Sequence, residues 1–257
     1  KDNTVLKIRS EYPKVEVVVN KKNLGFGRAN NIGLRRALND QADYVLLLNQ
    51  DASIEPDTIE KLIDIQKKNP VFGVVSPLHY DIENIKFIDP NCAHAFSTEL
   101  ISDAVSGRKL KEIYDVSGIH AAVWFISKQC LMDVGGFDPL FFYRNEDVDY
   151  MKRVLRKGYK FGIVPSAKAF HRGGMTRRDK PNMKQQLVFI LGEKLLHFKL
   201  FPTKSLFKLF LIVQIENFSE LTRNFLMLKL NKALIYFWIM IIITLKLKYS
   251  SSHYVFE

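Results

Sequence analysis

Three short stretches of this 257-residue sequence carry groups able to do chemistry in places where folding alone does not ask for them. In YVLLLNQDA (44–52) the aliphatic run Val45 to Leu48 ends in Asn49, Gln50 and Asp51. A polar cap on a strand end would account for this, because Asn and Asp favour turns. A ligand site would account for it too, since ligands of open α/β sheets sit beyond the carboxyl ends of the strands. In NEDVDY (145–150), Glu146, Asp147 and Asp149 open a helix. The dipole there stabilises a carboxylate by about 0.3–1 kcal/mol, which explains one or two acids. Three are more than a cap needs, and clustered carboxylates raise one another's proton affinity, as a general base near neutral pH requires. In FHRGGMT (170–176), His171 is followed by Gly173 and Gly174, which let backbone approach a ligand closely. Imidazole plus carboxylate can hold Mn²⁺ or Mg²⁺ when a diphosphate supplies the remaining oxygens. A purely structural histidine is the plainer reading of that residue.

A fourth stretch, VVVNKKNLGFGRANNIG (17–33), offers Gly25-Phe26-Gly27 after a β-branched run, with Asp51 lying 24 residues beyond Gly27. That spacing suits a dinucleotide fold of the NAD type, but Asn30 stands where the third glycine of G-x-G-x-x-G belongs. The shortened motif is weak evidence, and a tight turn needing glycine dihedrals explains it as well.

The elements that would position these groups follow from pattern. Asp2-Asn3-Thr4 before Val5, Leu6 and Ile8 predicts a helix start. VEVVVN (15–20) reads as a strand, residues 24–40 as a glycine-rich turn opening into a helix, and DYVLLLNQD (43–51) as the next strand. A helix with Pro56 near its first turn and a third strand, FGVVSPLHY (72–80), come next. This β, α, β, α, β order predicts an α/β, doubly wound, mainly parallel sheet with helices on both faces. Residues 80–116 show little periodicity and read as a long functional loop. AAVWFIS (121–127) is a strand, KQCLMDVGGFD (128–138) a short helix ending at Gly135-Gly136, and the acidic helix from 145 ends at Gly158 before a strand at 159–164. His120 and Trp124, on the segment entering that strand, are candidates to line a pocket, with core packing the plainer role for Trp124.

Composition separates the chain into two parts. Residues 1–167 hold 23 Lys+Arg against 22 Asp+Glu, whereas residues 168–257 hold 15 against 5. The basic third is also greasy, with LFKLFLIV and ALIYFWIMIIITL set among lysines. Basic plus apolar points to an anionic membrane surface more than to nucleic acid. The 13-residue run 233–245 is shorter than the ~20 residues that span a bilayer. A buried helical hairpin or a homodimer interface is the competing reading. Cys92 and Cys130, far apart and outside any C-x-x-C pattern, read as reduced thiols rather than a disulfide or zinc site.

The succession NLGFGRANNIG, YVLLLNQDASIEPD, GGFDPLFFYRNEDVDYMKRVLRKGYKF and VPSAKAFHRGG resembles the family 2 glycosyltransferases, and within them the bacterial rhamnosyltransferase-like members. The match covers roughly residues 1–176. It implies a GT-A fold, a nucleotide-sugar donor at the strand ends, and an inverting transfer to a saccharide or lipid-linked hydroxyl in bacterial surface polysaccharide synthesis, with rhamnose as the guessed sugar. Asn49 and Asp51 fall on the family's D-x-D position, Asn49 departing from its first Asp, and Asp51 would reach a divalent metal (Mn or Mg) together with His171. Asp147 falls on the catalytic base, with Glu146 beside it in the catalytic pair; roles for Glu146 in orienting the acceptor and for Asp149 as the helix cap are readings the residues leave open. Under the resemblance, the pocket that His120 and Trp124 could line is one for the sugar or acceptor. Gly25, Gly27, Asn30 and Asn31 would lie against the donor nucleotide. The resemblance also implies a base-binding βα unit ahead of Lys1, so a catalytic domain over 1–178 is expected to be N-terminally incomplete. Residues 179–257 would form a helical membrane-associating or dimerising region that holds the enzyme peripherally on the cytoplasmic face of the cell membrane. The rival classes are an NAD-type oxidoreductase and a non-catalytic, membrane-attached module on the same scaffold.

Overall fold

The computed structural model describes residues 2–83, 88–142 and 144–171, together with the helical positions Gly192, Glu193, Leu196 and Lys199. Helix α1 (Thr4–Glu11) starts where Asp2 accepts a hydrogen bond from the Thr4 N–H at 3.1 Å. Residues 15–20, expected as a strand, join no ladder, and Val15, Val18 and Val19 are each more than half exposed. β-branched residues fit a pleated, half-buried surface, and no described strand supplies that surface here.

Helix α2 (Phe26–Asn39) leads into β1 (Tyr44–Leu48) and the short β2 (Ala52–Ile54). Helix α3 (Thr58–Lys68) then leads into β3 (Val74–Asp81). The stretch 80–116, expected to be irregular, contains helices α4 (Pro90–Ala93) and α5 (Thr98–Val105) and strand β4 (Tyr114–Val116). Ser97 supplies the N-cap of α5, its hydroxyl accepting from the Leu100 N–H at 3.2 Å. Strand β5 (Val123–Ser127), helix α6 (Lys128–Val134), helix α7 (Glu146–Arg156) and strand β6 (Phe161–His171) complete the described fold. The last strand runs seven residues beyond the expected end at 164.

The sheet order is β1-β5-β3-β6-β2, with β4 also on β6. Strand β5 is inserted antiparallel between β1 and β3, so β1, β3 and β6 share one direction while only the β3–β6 ladder is parallel among the described pairs. The doubly wound α/β arrangement is as expected, but the sheet is mixed where a mainly parallel one was expected. Strand direction is not encoded in an apolar run such as VWFIS, which suits either neighbourhood. The β3–β6 register shifts at Pro77, which has no N–H to offer the ladder.

Both faces of the sheet are covered. Trp124 and Ile126 of β5 pack with Leu34 of α2, Leu131 of α6, Phe137 and Tyr150 of α7. Phe125 turns the other way, onto Leu62 and Ile65 of α3. This alternation is the period-two signature of a strand buried on both sides. Trp124 is fully buried, donates its indole N–H to the Ile119 carbonyl at 2.9 Å and lies nearly parallel to Phe137. It is a core residue.

Most of the predicted 179–257 region lies outside the described residues, and so do its expected membrane and dimer contacts. Lys199 is an exception: its Nζ lies 2.5 Å from both Asp138 Oδ2 and Asp149 Oδ1. Among the described residues, no helix is long and apolar enough to cross a membrane.

Candidate active site

Because β1, β3 and β6 run the same way, their carboxyl ends reach one edge of the sheet, and the antiparallel β5 begins at that edge. Asp51 follows β1, His79 lies near the end of β3, His120 precedes β5, and His171 ends β6. Turning back antiparallel, β2 sets Ala52 opposite His171 and brings Asp51 beside it. The Asp51 Oδ1 and His171 Nε2 atoms are 3.6 Å apart.

The chemistry of this pair follows from its surroundings. His171 Nδ1 is 2.7 Å from Asp89 Oδ2, and a carboxylate can only accept, so the imidazole donates there. In the neutral ring its Nε2 then presents a lone pair toward Asp51. Asp51 Oδ1 is buried and has no hydrogen-bond partner. Two electron-rich atoms facing each other across such a gap suit a divalent cation, which takes carboxylate oxygen and imidazole nitrogen together. The carboxylate behind the imidazole is the arrangement that orients histidine ligands at metals.

His120 marks how far the site extends. Burial holds its imidazole below the ordinary value, against the raising influence of Asp89, Asp147 and Asp51. Of these carboxylates Asp89 is in contact, its Oδ2 3.7 Å from His120 Nε2. Asp147, near the start of α7, is half-buried, and its Oδ1 accepts from the Val148 N–H at 2.8 Å. His120 thus lies beside His171, their rings 5.3 Å apart, and within the electrostatic reach of both Asp51 and Asp147.

The two other acids of α7 are placed differently. Glu146 is buried, its Oε2 has no hydrogen-bond partner, and burial raises its carboxyl above the ordinary range. Asp149 was expected as a helix cap. Instead it is buried and pairs with Arg153 at 2.9 Å as well as with Lys199, while Asn145 occupies the N-cap position in a left-handed conformation. Its charge is consumed in the fold.

The expected donor-binding residues on α2 are engaged with the protein itself. Gly25 has φ +78°, and a Cβ there would sit 2.2 Å from the Phe142 carbonyl oxygen. A Cβ at Gly27 would meet the Phe137 side chain at 2.9 Å. Asn31 donates to the Phe137 carbonyl at 2.8 Å and accepts from its N–H at 2.7 Å, while Asn30 bonds back to the Phe26 carbonyl at 3.0 Å. This stretch clamps α2 onto the segment leading to α7. The G-x-G spacing is explained by close packing, which removes the basis of the dinucleotide reading. Asn49 spends its backbone on Ala122 and Ala52 and remains half-buried beside Asp51.

The family model "Glycosyl transferase family 2" matches residues 1–129, half of the chain. The chain belongs to this family. Among curated family 2 relatives, an N-acetylglucosaminyl-diphospho-decaprenol L-rhamnosyltransferase of Mycobacterium tuberculosis is 26% identical over 193 residues, covering 66% of this chain and 62% of the relative. The dTDP-rhamnosyl transferase RfbF of Shigella flexneri is 25% identical over 172 residues, covering 63% and 53%. This chain therefore spans between about half and three fifths of the relatives it matches. The crystal structure of GalNAc-T7 with UDP, GalNAc and Mn²⁺ superposes with a TM-score of 0.53 at 15% identity, covering 77% of this chain and 42% of that one. The fold is the GT-A fold.

Two residues of this cluster escaped the sequence reading. His79 and Asp89 are both fully buried. The signals existed: His79 and Ser76 are polar residues inside an otherwise apolar strand, and Asp89 lies in the aperiodic stretch expected to be functional.

Proposed function

We propose that the chain is an inverting glycosyltransferase that moves a sugar from a nucleoside-diphosphate donor to a hydroxyl of a saccharide or lipid-linked saccharide. The observation that carries this reading is the buried, unpartnered Asp51 Oδ1 set 3.6 Å from the Nε2 of His171. Family membership supports the reaction class, the names of the mycobacterial and Shigella relatives support rhamnose as the sugar, and the mycobacterial name supports a polyprenyl-linked acceptor.

In this reading Asp51 and His171 hold a divalent cation, Mn²⁺ or Mg²⁺, which when bound stabilises the charge that develops on the leaving diphosphate. Asp89 keeps the His171 ring turned with its lone pair inward. Asp147 accepts the proton of the attacking hydroxyl as its oxygen bonds to the anomeric carbon and the bond to the diphosphate oxygen breaks. Attack from the side opposite the leaving group inverts the configuration at that carbon. Glu146, buried directly beside Asp147, orients it and the acceptor rather than taking the proton. The basic, apolar residues 179–257 would keep the site at a membrane surface carrying the acceptor, or join two copies.

The test is release of nucleoside diphosphate from dTDP-rhamnose in the presence of a polyprenyl-diphosphate-linked N-acetylglucosamine acceptor and Mn²⁺. Acceptor-dependent release, abolished by EDTA and by Asp51→Ala, is expected. Release indifferent to both would overturn the assignment of the site.

A further inference from the structure

Beside the Asp51–His171 pair lies a second set of ligand atoms, of which only Asp89 takes part in the transfer site, through its hydrogen bond to His171. His79 of β3 is fully buried. Its Nε2 lies 3.0 Å from Ser76 Oγ, and the same hydroxyl lies 2.7 Å from the Val123 carbonyl oxygen. A hydroxyl has one proton to give. Ser76 donates it to the carbonyl, so it must accept from His79, which places the imidazole proton on Nε2. The Nδ1 atom is then a bare lone pair, buried and without a hydrogen-bond partner.

A second nitrogen faces the same space. His120 Nε2 is also buried without a hydrogen-bond partner and lies 3.7 Å from Asp89 Oδ2. The His79 and His120 rings meet edge to face at 5.3 Å. One atom each from His79, Asp89 and His120 lie within 4.8 Å of one another, the one such group of three among the described residues.

We propose that His79 Nδ1, His120 Nε2 and the Asp89 carboxylate bind a transition-metal dication of the zinc class, in a site separate from the diphosphate cation at Asp51 and His171. Two imidazoles and one carboxylate are a ligand set for Zn²⁺ and its Co²⁺ stand-in more than for Mg²⁺. Bonds of about 2.0–2.1 Å require the three side chains to close by about 1 Å. Asp89 joins the two sites, since its Oδ2 also receives the Nδ1 proton of His171. An ion bound here fixes Asp89 and, through it, the ring that faces Asp51.

The test uses the whole chain, carrying no added purification histidines, dialysed against Co²⁺ without any nucleotide. One Co²⁺ per chain with the visible bands of nitrogen ligation is expected, retained in Asp51→Ala and weakened at least ~10-fold in His120→Asn. His120 is a quarter exposed on its side chain, so this variant is the one that keeps the fold; His79→Asn is the confirming substitution, checked by circular dichroism. Absence of bound Co²⁺, or bands that survive His120→Asn, overturns the site. Loss of the ion in Asp51→Ala also overturns it, by assigning the ion to the diphosphate site. Because no donor or acceptor enters this measurement, its failure leaves the transferase reading standing, and the reverse holds as well.

Discussion

Ala52 and His171 stand opposite each other in the β2–β6 ladder, and this pairing brings the Asp51 carboxylate to 3.6 Å from the His171 imidazole. Residues that are 120 apart in the chain become one site through a three-residue strand. A one-residue slip of β2 would turn its side chains to the opposite face, so the register of a very short element determines whether the site exists.

Behind His171, the Asp89 hydrogen bond is expected to matter as much as a direct ligand. Asp89→Asn should weaken Mn²⁺-dependent nucleotide binding by about 10- to 100-fold, the usual cost of losing a carboxylate that orients a ligating histidine. Calorimetry on the variant checks this, and unchanged affinity would mean that His171 is held by packing alone.

Asp147→Asn should lower turnover by ~10²-fold or more while donor binding is unchanged, because the amide keeps the shape of the carboxylate and cannot take the acceptor proton. Steady-state rates beside a nucleotide titration separate the two. Equal loss in both would make Asp147 a donor-binding residue.

Lys199 ties a residue of the C-terminal third to the catalytic domain. Burial opposes its charge, but Asp149 and Asp138 more than offset this, so its ammonium is held above the ordinary value. Lys199→Met would leave both buried carboxylates short of a partner and should cost ~3–5 kcal/mol, the range for breaking a buried ion pair. Urea unfolding measures it, and Lys199→Arg should recover part of the loss.

Glu146 gives a pH dependence with a definite sign. Burial raises its folded-state value above the ordinary 4.5. Below that value both states are protonated and it costs nothing. Above it the unfolded chain ionises first, so the folded state binds more protons and stability falls as pH rises toward the folded value. Glu146→Gln should match the parent chain near pH 4 and exceed it in stability near pH 7, as read from urea midpoints at both. A variant less stable at both would show that the carboxylate makes a contact the amide cannot.

What was legible in the sequence was the local chemistry. The polar break after Leu48 pointed to Asp51, the acidic helix start to Asp147, and a histidine just past a strand to His171, and the fold brings Asp51 and His171 to 3.6 Å. Trp124 was readable as core because aromatics dominate cores. What was not legible depended on partners far away in the chain. VEVVVN has strand composition and forms no ladder among the described residues. Strand β5 reads equally well in either direction, and only the sheet reveals that it runs against its neighbours. Asp149 looked available until Lys199, 50 residues on, was found on it. Gly25 and Asn31 were expected at the donor, and the sequence does not show that Phe142 and Phe137 also pack against them.

The most direct test of the central claim is calorimetric titration of the chain with dTDP, UDP and GDP, each with and without Mn²⁺, beside Asp51→Ala. The account predicts binding of one of these that requires Mn²⁺ and disappears in the variant, with the preferred base narrowing the sugar donor. Binding that ignores both Mn²⁺ and Asp51, or no binding to any of the three, would contradict a donor site at the ends of β1 and β6.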